Sequence, residues 1–214
     1  MNIISKPTAT KEQVMQFIKY TKTAHPLCLA IVPMIYDAAE KVGINPIVAV
    51  AQAIKETGYF NFKGVLRPNF CNICGLKGSS GGGDYDPEAH KRFEYWEDGV
   101  SAFIDHLALY AGVEGYPKYS ADTELYYKSK NTKYDSESLK KKGTTLDPRQ
   151  FPYLLGTAKT VEALSEKWAP SKTYGSEIVA IVKEIESTKL ETNEAIEIIS
   201  NIETEMKKLK EVVR

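Results

Sequence analysis

The sequence predicts an all-α domain with a small β-hairpin lobe, followed by a C-terminal helix with a heptad face. Three observations predict it. The stretch NPIVAVAQAIKETG at 45–58 reads as one buried helix with both ends marked. A glycine-rich acidic stretch at 77–90 interrupts the helical periodicity. From Ile178 onward, apolar residues recur at alternating three- and four-residue steps.

The first helix is expected through KEQVMQFIKYTKT, capped by Thr8 or Thr10, with Val14, Phe17 and Ile18 on one face. A second runs to about Lys41 and ends at Gly43, and Pro33 inside it implies a late start or a kink. In the third, Asn45 is the N-cap, Pro46 the first helical residue and Gly58 the left-handed terminator. Ile47, Val48, Val50, Ala51, Ala53 and Ile54 leave it almost no polar face, which predicts burial on most sides.

Residues 59–70 mix aromatics with Gly64 and Pro68, so a loop is expected, with Tyr59, Phe60 and Phe62 either facing a groove or covering the core. Residues 72–96 read as the hairpin lobe, with a mobile glycine tip carrying Asp84, Asp86 and Glu88. No G-x-x-x-x-G-K-[ST] motif is present, so the glycines do not read as a phosphate loop. A further helix spans about 97–111, with His106 beside its apolar stripe and expected to be a hydrogen-bonded core residue. Residues 116–147 are polar and lysine-rich, a surface excursion with short helical turns. A helix is expected around 161–168, and from Ser176 the chain is expected to be helical to its end. The seam there is Ile178, Ile181, Ile185, Thr188, Thr192, Ala195, Ile199, Ile202, Met206, Leu209 and Val213, strongest after Ala195. This divides the chain into a domain at 1–186 and a helical, coiled-coil segment at 187–214, with self-association through the latter expected.

A chain of 214 residues suffices for one well-filled core, and 43% hydrophobic with 26% charged residues is an ordinary globular composition. Twenty-eight basic residues balance twenty-eight acidic ones, so no global field recruits nucleic acid or an anionic membrane. The start, MNIISKPTATKEQ, has no apolar signal core, so an enzyme acting outside the cell would be released by phage, by lysis or by a non-classical route. Three cysteines make no disulfide framework. Cys71 and Cys74 form a C-x-x-C without the further ligands of a zinc site, so no metal and no cofactor are expected.

The chemistry centres on Glu56. It lies in the last turn of its helix, where unpaired carbonyls carry partial negative charge, and burial adds to that field in raising its pKa. A carboxylic acid that keeps its proton near neutrality suits general acid catalysis; the plainer alternative is a surface glutamate at a frayed helix end.

The motif AQ-x-x-KETG followed by N-x-x-GLK resembles the glucosaminidase family of bacterial wall hydrolases, glycoside hydrolase family 73. The resemblance continues through FEYWEDGVSAFIDHLALYAG, TLDPRQFPYLLGTAKTVEAL and WAPSKTYG, and covers roughly residues 6–186. It implies a lysozyme-like helical fold and cleavage of the β-1,4 bond that follows N-acetylglucosamine, toward N-acetylmuramic acid, in peptidoglycan glycan strands. Glu56 matches the family's catalytic glutamate. Asp84 and Asp86 are the expected second acid, with Glu88 third; the tip here is shorter than in many members. Asn72, Gly75 and Lys77 stand at positions that shape the sugar site, with Asn72 as a candidate partner of an N-acetyl group. Tyr59, His90, Trp168 and Tyr174 complete the candidate substrate-binding set, the last two as stacking platforms. Three alternatives remain at this level: a lytic transglycosylase, although the G-L-M-Q block is missing; a chitin-type N-acetylglucosaminidase; and a non-catalytic wall-binding module.

Overall fold

Helices begin where the sequence supplies caps. In the computed structural model, which describes residues 1–190, 200–202 and 204, α1 (Lys11–Tyr20) starts at Thr10. The Thr10 hydroxyl accepts from Gln13 N at 3.2 Å while the Gln13 side chain accepts from Thr10 N at 3.0 Å, a reciprocal capping box. α2 (Cys28–Val42) ends on Gly43 in the left-handed conformation, φ 85°. Pro33 does not delay its start; the helix begins five residues earlier and simply lacks one amide donor there.

α3 (Pro46–Thr57) forms as its caps dictate, the Asn45 side chain accepting from Ile47 N at 3.0 Å and Gly58 closing the end at φ 58°. It lies between α2 and α7 (Tyr174–Glu186), while α2 also packs on α1 and α4 (Trp96–Ala111). Every residue from Pro46 to Ile54 is buried, the polar Gln52 included. Each fully buried Ile or Val is worth about 2 kcal/mol, so Ile47, Val48, Val50 and Ile54 fix α3 firmly in the core. Two shorter helices, α5 (Ala121–Ser129) and α6 (Ser136–Lys142), supply the helical turns expected in the surface excursion.

Three expectations are corrected. The hairpin lobe is reduced to one antiparallel bridge, Lys77 with His90, flanked by Gly78 N to Ala89 O at 2.9 Å and Lys91 N to Leu76 O at 2.8 Å. Gly81 and Gly82 adopt positive φ, and the 3₁₀ turn Pro87–Ala89 contains a proline with no donor, so no second rung forms. The helix expected at 161–168 is only a 3₁₀ turn, Glu162–Leu164. Glu166 has φ 62° and ends the turn before Trp168.

The C-terminal helix begins at Tyr174, two residues early, and stops at Glu186, with residues 187–190 non-helical. Its buried stripe is Tyr174, Ile178, Val182 and Ile185, spaced as an ordinary helix face, so Val182 replaces Ile181 of the expected seam. Residues 200–202 and 204 are helical, and the rest of the expected heptad segment lies outside the described residues.

Candidate active site

After Gly58 the chain stays left-handed, with Tyr59 at φ 58° and Phe60 at φ 59°, and Phe62 returns there at φ 49°. Such a run costs of order 1 kcal/mol or more per non-glycine residue and persists only where its surroundings hold it. Here Thr57 holds it: its hydroxyl donates to Ala53 O at 2.7 Å and accepts from Phe60 N at 2.9 Å, and Phe60 and Phe62 are buried. This turn sends the chain away from α3 just after Glu56, leaving that carboxyl at the floor of a depression.

Two cavities, of about 530 Å³ and about 310 Å³, meet there and share Glu56, Gly75, Asp84 and His90. The larger continues over Cys74, Lys77, His106, Tyr110, Arg149 and Trp168. The smaller continues over Phe62 and the loop from Lys63 to Leu66.

Glu56 as a residue is half-buried, but its carboxyl is enclosed by α7 and the segment before it. Oε1 accepts from Trp168 Nε1 at 2.9 Å and from the Tyr174 hydroxyl at 2.5 Å. Burial pushes its pKa up; the two donors and, less strongly, Lys55 oppose that. Tyr174 can sit so close because Gly175 has no side chain: a Cβ there would lie 2.4 Å from Val161 O. Trp168 is wedged against Phe103, His106 and Tyr110, with ring centroids 6.1, 4.9 and 5.4 Å away.

The acidic tip behaves differently at each position. Asp84 lines both cavities and pairs with Lys77 Nζ at 2.5 Å, and that ammonium holds its carboxyl below the usual range. Asp86 does not line them; its Oδ1 accepts from Glu88 N at 2.9 Å and caps the Pro87–Ala89 turn. Glu88 is turned outward to Arg92, 2.7 Å away, whose guanidinium lies over Phe70. Among the three acids the groove therefore receives Asp84. His90 lines both cavities, with Nδ1 2.8 Å from Asp86 O.

Three expected sugar contacts take other positions. Asn72 is fully buried and its amide is used up inside the loop. Nδ2 donates to Leu76 O and Lys91 O, each at 2.9 Å, and Oδ1 accepts from Leu76 N at 3.1 Å and Cys74 N at 3.3 Å. It shapes the site without reaching it. Tyr59, turned by its left-handed backbone, packs on the core, where burial and then the α7 carboxylate Glu184 push its hydroxyl pKa up; it lines neither cavity. Tyr174 is only 3% exposed, so it offers a hydroxyl to Glu56 and no face to a sugar.

His106 is buried and hydrogen-bonded, Nδ1 lying 2.9 Å from Asp147 Oδ2, yet it also borders the larger cavity. Arg149, Tyr110 and Gln52 carried no site expectation in the sequence. Gln52 was the one with a signal, a polar residue four positions before Glu56 in an otherwise apolar helix. The three cysteines are buried and free, and among the described residues no group of histidine, cysteine and acidic side chains is arranged to hold a metal. Nor is any described helix long and apolar enough to cross a membrane.

The glucosaminidase family, described as mannosyl-glycoprotein endo-beta-N-acetylglucosaminidase, matches residues 32–187, which include α3, the groove and α7. The chain belongs to the glucosaminidase family. Its mostly helical architecture fits a lysozyme-like domain of that family, and membership makes it a glycoside hydrolase with a glycan substrate. It is also similar to an uncharacterized protein of Borreliella burgdorferi, 25% identical over 180 residues, covering 82% of this chain and 74% of the other. No solved structure matches it.

Proposed function

We propose that the protein hydrolyses the β-1,4 bond that follows N-acetylglucosamine, toward N-acetylmuramic acid, in bacterial peptidoglycan, with Glu56 as general acid. The observation that carries this reading is an enclosed carboxyl, raised in pKa, at the junction of two cavities rather than at the bottom of one. A polymer can lie across such a junction with sugars on both sides of the bond to be cut. Protonated Glu56 delivers its proton to the leaving glycosidic oxygen, and the positive charge that develops on the sugar is met by an ionised Asp84 or by a water that Asp84 orients. Asp84 is suited to stay ionised by its pairing with Lys77.

The protein acts on the bacterial cell wall in this reading. Copies associate through residues 187–214, whose heptad pattern supports that role; truncation after Leu190 should then lower the mass in solution and leave wall lysis intact.

The test is digestion of purified sacculi followed by identification of the new ends by mass spectrometry. N-acetylglucosamine reducing ends are expected. N-acetylmuramic acid reducing ends would make the protein a muramidase, and anhydro-sugar ends a transglycosylase.

A further inference from the structure

Gln52 lies one helical turn before Glu56 on the same face of α3 and is wholly buried. Its Nε2 donates to the Tyr174 hydroxyl oxygen at 2.9 Å, while its Oε1 has no partner among the described residues. A buried carbonyl oxygen without a donor opposes folding, and an apolar side chain of the same shape would remove that penalty.

What the amide does in exchange is direct one proton. Tyr174 has a single hydroxyl hydrogen. With the oxygen already accepting from Gln52, that hydrogen goes to Glu56 Oε1, 2.5 Å away. Trp168 Nε1–H can only donate, and it donates to the same oxygen at 2.9 Å. Oε1 thus receives two hydrogen bonds and acts only as an acceptor. Were the Tyr174 hydrogen instead turned toward Gln52, protonated Glu56 could give its own hydrogen to the phenol and withhold it from a substrate.

We propose that Gln52 is a positioning residue that, through Tyr174, keeps Glu56 Oε1 an acceptor and so places the carboxylic proton on Oε2, the oxygen left to serve the glycosidic bond. The inference rests on the hydrolase reading for its effect on rate, and on the hydrogen bonds alone for the location of the proton.

The experiment follows the Glu56 carboxyl by ¹³C NMR titration of the full chain, its signal assigned by its loss in Glu56→Gln. Gln52→Met should raise the Glu56 midpoint by about half a pH unit, because the tyrosine then donates to the ionised carboxylate only part of the time. Tyr174→Phe should raise it by about one unit, and the double variant should go no further than Tyr174→Phe. The other charged or titratable groups around the carboxyl are unchanged in every variant: Lys55 on α3; Cys74, Lys77, Asp84 and His90 from the loop; His106 and Tyr110 on α4; Arg149 and Lys167 beyond. They therefore cancel in the differences.

On sacculi, Gln52→Met should lower kcat about tenfold with KM unchanged, and its Tm should equal or exceed the parent's. An unmoved midpoint, an equal shift with and without Tyr174, or a fall in Tm with kcat intact would overturn the proposal. A parent inactive on sacculi would sink the hydrolase reading instead, and the titration would still decide whether Gln52 acts on Glu56 through Tyr174.

Discussion

Two carboxylates border the same groove and are treated in opposite ways. Glu56 is enclosed, accepts hydrogen bonds from neutral donors and has its pKa pushed up by burial; Asp84 is exposed, faces an ammonium 2.5 Å away and is pushed down. Environments that separate two acids in this way give one a proton to donate and leave the other charged over the same pH interval. The difference comes from architecture. Glu56 is set on a helix buried without a break from Pro46 to Ile54, whereas Asp84 is set on a glycine tip closed by a single bridge.

The strongest way to break the contrast is Glu56→Gln, which should lower the rate of sacculus solubilisation about 10³-fold while wall binding, measured by sedimentation, persists. Next, Asp84→Asn should cost about 10²-fold in kcat, and Asp86→Asn less than about threefold, because Asp86 only caps a turn. A loss with Asp86→Asn as large as with Asp84→Asn would reverse the assignment of the second acid.

The pH dependence sharpens the comparison further. Activity should be bell-shaped, falling at low pH as Asp84 protonates below the ordinary aspartate range and at high pH as Glu56 ionises above the ordinary glutamate range. Lys77→Met should move the acid limb up toward about 3.9 and leave the basic limb in place. The smallest effect is on stability. Because the folded protein holds the Glu56 proton more tightly than the unfolded chain does, this group's contribution is full below about pH 4.3 and is lost as pH rises through the raised folded value. Glu56→Gln should therefore flatten the decline of Tm over that interval.

What could be read from the sequence followed local rules. Asn45, Pro46 and Gly58 mark the ends of α3 by chain chemistry alone, and its unbroken apolar run dictates burial, so Glu56 could be placed before any tertiary contact was known. The rest depended on backbone direction and distant partners. Tyr59 suited a sugar platform and a cover for the core equally, and its left-handed backbone sets it on the core. Asn72 looked like a ligand for an acetyl group, but four backbone groups of its own loop claimed it.

Trp168 was placed at the end of a helix that does not form, since Glu166 leaves the helical region and brings the indole back to Glu56. The contact between the loop and α4 was equally invisible, because it depends on an absent side chain. A Cβ on Gly99 would lie 1.7 Å from Cys71 O, and Gly99→Ala should destabilise the protein by about 3 kcal/mol in urea denaturation.

The amide of Asn72 has one further consequence. By gripping Leu76 and Lys91 together it clamps the neck of the segment between them. Above that neck the segment meets the scaffold again where Arg149 Nη1 donates to Gly78 O at 3.2 Å. Lengthening it at Gly81 or Gly83 should therefore shift Asp84 and one wall of the cleft while leaving α3, which carries Glu56, in place.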